Sequence, residues 1–101
     1  MFNNQNELSQ AIVVYLGYGS TSYPVADSAK IVEVYGHQKG TALITDVLKL
    51  TDEVNQFKID WSTVSLEMAG KMLRAEIHNR YPFLGDQALD AIVWKFTFDW
   101  R

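Results

Sequence analysis

Residues 91–101, AIVWKFTFDWR, carry four large aromatic side chains within the seven positions from Trp94 to Trp100. Two periods compete in this stretch. Read as a helix starting at Asp86, Leu89, Ile92, Val93, Phe96 and Trp100 share one face, and Ala91, Trp94 and Phe98 fall nearly opposite. Gln87, Asp90, Lys95 and Thr97 divide the two faces. Read as a strand, Ile92, Trp94, Phe96, Phe98 and Trp100 alternate with Val93, Lys95, Thr97 and Asp99, in residues of high β propensity. Phe57, Ile59 and Trp61 alternate with Lys58 and Asp60 in the same way. Residues 56–61 and 92–100 are therefore suited to pair as a short antiparallel ribbon, which would make the fold α+β. The helical reading is preferred. Asp86 is a fair cap, Gln-Ala-Leu-Asp-Ala begins with good helix formers, and the rest of the chain is helical in pattern.

Working back along the chain, residues 62–80 form a fourth helix capped by Ser62 or Thr63 and ended by Pro82. Its inner stripe is Leu66, Ala69, Leu73 and Ile77, and Met68 and Met72 fill the core beside it. Residues 41–57 hold the clearest helical period: Leu43, Val47, Leu50 and Val54, widened by Ile44 and Leu48. Asp46, Lys49, Asp52 and Glu53 lie outside that stripe and read as a solvated face. HQKG, residues 37–40, reads as a turn after Gly36. A second helix starts near Pro24, which suits a first turn, with Ser22 as its cap. Val25, Ala29, Val32 and Tyr35 share its inner side. The first helix spans residues 5–16, with Asn4 as cap, Leu8, Ala11, Ile12 and Tyr15 inward, and Gly17 as a left-handed stop. GYGSTSYP is a loop. The expected fold is all-α, a compact bundle of about five short helices forming one domain over residues 1–101.

Composition narrows the classes of function. The chain has 101 residues, 48% hydrophobic and 21% charged, which marks a globular domain able to bury its own core. It has no Cys, so disulfides, Cys-ligated zinc and a Cys nucleophile are excluded. The net charge of −3 does not attract phosphate backbones. MFNNQNELSQ lacks the pattern of a signal peptide, and the longest apolar run, residues 11–16, is far short of a bilayer span. The expectation is a cytoplasmic protein that binds neither nucleic acid nor membrane.

No motif carries catalytic chemistry. Gly17 and Gly19 begin a G-x-G pattern, but Ser22 stands where a dinucleotide fingerprint needs its third Gly, and no Walker sequence occurs. His37 and His78 are unpaired in sequence and lack metal-ligand spacing. No metal and no cofactor are expected. Lys71, Arg74 and His78 line one side of the fourth helix after Glu67, in the manner of helix-terminal cations with an i,i+4 pair.

The aromatic tail is the most informative feature, because large rings concentrate binding energy at interfaces. The expected function is non-catalytic protein binding, of the regulatory, inhibitor, immunity or adaptor kind, toward another protein or a second copy. Trp94, Phe98 and Trp100 would be the anchors, with Tyr18, Tyr23, Lys71 and Arg74 at the rim. The alternative is a small enzyme or ligand-binding domain with a pocket between residues 17–22 and His78.

Overall fold

The computed structural model describes residues 5 to 100, with side chains from Glu7 onward. Five helices follow one another: α1 (Gln5–Leu16), α2 (Ala29–Tyr35), α3 (His37–Asn55), α4 (Leu66–Arg80) and α5 (Asp86–Asp99). The bundle is all-α, and residues 92–99 belong to α5, so no ribbon forms there. Among the described residues there is no strand. Helix is favoured because Leu89, Ile92 and Phe96, spaced by one turn, all bury on one face of α5.

The centre of the bundle is α1, which packs against α2, α3 and α5. Leu8, Ala11, Ile12 and Leu16 are all buried, and Tyr15 nearly so. The helix ends as its sequence indicates. Gly17 takes φ +76°, and the amides of Gly17 and Tyr18 both return to the Val13 carbonyl. Asn4, its expected cap, lies outside the described residues.

Lys39 pairs with Glu7 at 2.9 Å, and the Gly85 amide donates to Ser9 Oγ at 2.9 Å. The starts of α1, α3 and α5 therefore share one end of the bundle. The helices α2 and α4 run back between them. In α4, Gly70 lies against Val93 and Thr97 while Arg74 reaches Asp86 and Asp90, so α4 is antiparallel to α5.

Several local expectations are corrected by packing. Residues 24–28 are not helical, and neither Pro24 nor Ser22 opens α2. Instead Val25 and Asp27 donate their amides to the Leu16 and Tyr15 carbonyls, tying the segment to α1, and the Asp27 carboxylate accepts from the Ala29 amide. The buried residue of α2 is Ile31, whereas Ala29 is exposed. HQKG is the first turn of α3, not a separate turn. A single residue, Gly36 at φ +85° and ψ 169°, joins α2 to α3, a conformation that a side chain would oppose. Gly40 lies inside α3 because Val32 packs directly on it: a Cβ there would stand 2.9 Å from Val32 Cα.

The helix α3 stops at Asn55, and α4 starts at Leu66 with Ser65 as cap, its Oγ accepting from the Met68 amide at 3.1 Å. Ser62 and Thr63 instead close a turn on Asp60. Gly85, rather than Asp86, is the cap of α5. Asp46 is only 8% exposed, contrary to a solvated face, and its Oδ2 has no hydrogen-bond partner among the described residues. Met68 and Met72 are 49% and 43% exposed, so they do not fill the core, and Leu48 is also exposed. The reason for the methionines is geometric. The helix α4 buries Ala69, Gly70, Leu73 and Ile77, and α5 is its principal helical neighbour, which leaves the Met flank uncovered.

Candidate interaction groove

The C-terminal ends of α1, α3 and α5 meet at the end of the bundle away from the Lys39–Glu7 pair. There α3 gives way to the non-helical segment 56–65, and a groove of about 250 Å3 opens. Leu16, Val54, Ile92 and Phe96 form its floor, and Phe57 and Trp100 its walls. Thr51, Asn55, Lys95 and Asp99 supply its polar edge. Lys95 Nζ meets Asp99 Oδ2 at 2.5 Å, an i,i+4 pair that lies partly open to solvent. A more open hollow continues the groove past Lys58, Ile59 and Trp61.

Rings hold this region together. Trp61 stacks on Phe96 at 6.4 Å and meets Trp100 at 5.3 Å, while Phe57 sits edge-on to Phe96 at 6.4 Å. The segments 56–61 and 92–100 are thus neighbours, joined by side chains instead of a backbone ladder. Trp61 remains 40% exposed and Trp100 57%. Asp60 anchors the approach to Trp61. Its carboxylate accepts from the Ser62 hydroxyl at 2.5 Å and from the Ser62 amide at 3.1 Å, and these two bonds lower its pKa from the ordinary value.

The residues singled out from sequence separate into distinct places. Trp94 and Phe98 leave α5 on a different side from Trp100. Tyr18 covers Trp94 edge-on at 5.4 Å, and Tyr23 stacks on Phe98 at 6.5 Å. Trp94 is half-buried by this arrangement, but Phe98 and Tyr23 stay exposed. Lys71 pairs with Glu67 at 3.6 Å, and Arg74 spans Asp86 and Asp90 at 3.3 and 3.2 Å, stitching α4 to α5. Trp100 alone of the seven lines the groove. Trp61, Phe57 and Ile59 join it there, and their alternating pattern was the one sequence signal for them.

Residues 17–22 and His78 do not converge. Tyr18 lies at the Trp94 level of α5, whereas His78 follows Arg74 beyond the Asp86 end. The Ser20 hydroxyl donates to the Gly17 carbonyl and the Thr21 hydroxyl to the Tyr23 carbonyl at 2.7 Å, so they close the loop on itself. No group of three or more His, Cys, Asp or Glu side chains with metal-holding geometry occurs among the described residues. No helix among them is long and apolar enough to cross a membrane. Comparison with protein-family models, with curated proteins and with solved structures returned no match.

Proposed function

We propose that this chain is a small, non-catalytic protein-interaction domain of the regulatory, inhibitor, immunity or adaptor kind, binding through its aromatic surface. The observation that carries the reading is the groove walled by Trp100 and continued past Trp61, two large rings left substantially open to solvent. Open grooves floored by aliphatic side chains and walled by rings suit an apolar anchor from a partner, because ring burial gains much area at small entropic cost. Trp100 is the central anchor on this reading. Phe98 with Tyr23 adds a second exposed aromatic pair, one turn along α5 from the Trp94–Tyr18 pair, while Lys71 and Arg74, held by Glu67, Asp86 and Asp90, stand apart from the groove. The partner is another protein or a second copy of the chain. A cytoplasmic location belongs to the same proposal, supported by the Cys-free, mildly acidic composition, and cell fractionation reads it directly.

The test is affinity capture from native extract with three immobilised chains: wild type, Trp61→Ala/Trp100→Ala, and Trp94→Phe. Proteins retained by wild type and Trp94→Phe but lost from the double variant are the expected result. Equal retention by all three refutes the groove as a binding surface.

A further inference from the structure

We propose that the occupant of the groove is a second copy of this chain, docked about a two-fold axis. The inference rests on the reading of the groove as a protein-binding surface. Three observations point to self-association over a foreign partner.

The first is shape. A two-fold interface presents the same patch from both sides, so the patch must contain both a recess and something to fill it. Here the recess of about 250 Å3 and the exposed Trp100 ring at its lip belong to one surface. Each copy can therefore offer its Trp100 to the other's groove.

The second is charge. Lys58 edges the groove, is exposed and makes no ion pair among the described residues, while the exposed Asp60 lies two positions on. Lys95 and Asp99 balance one another on the facing edge. With Asp60, which adjoins this face beside Trp61 without lining the groove, the patch carries two charges of each sign. It offers no net attraction to a strongly acidic or basic partner, but two copies related by a two-fold axis meet with Lys58 toward Asp60 and no net repulsion.

The third is area. Large rings bury 150–250 Å2 each, so Trp61 at 40% and Trp100 at 57% exposure together leave roughly 200 Å2 uncovered. The half-buried Phe57 and Ile59, with the exposed Leu48 one turn before Thr51, extend this to about 350 Å2. A standard interface buries about 800 Å2 per partner, a little over half of it apolar, or about 450 Å2. The groove face approaches that requirement without exceeding it. An area of this size suits a reversible dimer and not an obligate one, whose interfaces are larger and more apolar.

Sedimentation velocity of the full chain from about 1 to 500 μM tests this directly. The expected result is a concentration-dependent monomer–dimer equilibrium. Trp100→Ala should weaken it by about 30-fold or more, as truncation of a central anchor does. Lys58→Glu should weaken it too, and Lys58→Glu/Asp60→Lys should restore it, a rescue that loss of folding cannot produce. Circular dichroism of each variant confirms that the helices persist. A wild-type chain that stays monomeric throughout overturns the proposal, as does a dimer indifferent to all these substitutions. Either result leaves the capture experiment above to decide whether the groove binds a different protein.

Discussion

Adding one methyl group at Gly40 puts the packing of α2 on α3 to a direct test. A Cβ at this position lies 2.9 Å from Val32 Cα, 3.3 Å from the Ile31 carbonyl oxygen and 3.3 Å from Val32 Cγ2. The first two are backbone atoms of a neighbouring helix, so no side-chain rotation relieves the contact. The helix α2 must move, although Gly36 alone joins it to α3. Overpacking of this kind costs about 1–3 kcal/mol. Against it, replacing Gly by Ala in a helix interior gains up to about 1 kcal/mol. The difference is a net loss of about 1 kcal/mol, which for a chain of this size lowers the melting temperature by roughly 4–8 °C. Thermal and urea unfolding of Gly40→Ala measures this, with Gln38→Ala, exposed in the same first turn, as a control expected within about 0.5 kcal/mol of wild type. If Gly40→Ala is as stable as wild type or more so, α2 does not rest on α3 at this point. The reason given for a glycine inside α3 then fails.

Trp94→Ala removes a half-buried indole packed edge-on against Tyr18 and should cost about 2 kcal/mol, less than the 3–5 of a fully buried Trp, as read by urea unfolding. Ser65→Ala removes the hydroxyl that accepts from the Met68 amide and should cost about 1 kcal/mol, with α4 fraying first in amide exchange. A carboxyl NMR titration should find Asp60 ionising below the ordinary Asp range, and Ser62→Ala should move it back upward. The sign follows from the depressed folded value. The contribution of Asp60 to stability is present above the unfolded Asp pKa and fades as pH falls through its lowered folded pKa.

Much of the fold was legible where the determining groups lie close in sequence. Gly17 ended α1 as expected, and the spacing of Leu43, Val47, Leu50 and Val54 marked the buried face of α3. The choice of helix for residues 86–99 followed from the helix-forming start at Asp86 and the helical pattern of the rest of the chain. The site was only partly legible. Trp100 was identified from the density of rings, but its companions Trp61 and Phe57 lie some forty residues away, and alternation pointed to a ribbon in place of ring packing. Met68 and Met72 show the same limit, because an apolar stripe states what a helix is able to bury and not whether a neighbour arrives to cover it.

The sequence by itself determined that this chain makes amphipathic helices, where most of them stop, and that α5 carries apolar residues on two sides. Those properties depend on hydrogen bonds and side-chain contacts within one or two turns, which spacing alone specifies. Only the tertiary structure decided that α1 is the central helix, that Gly40 belongs inside α3, that Asp46 is buried, and that Tyr18 and Tyr23 cover one side of α5 while a groove stays open beside Trp100. Each of these depends on which surface of a distant element lies against the residue, and burial is a property of the pair and not of either sequence alone.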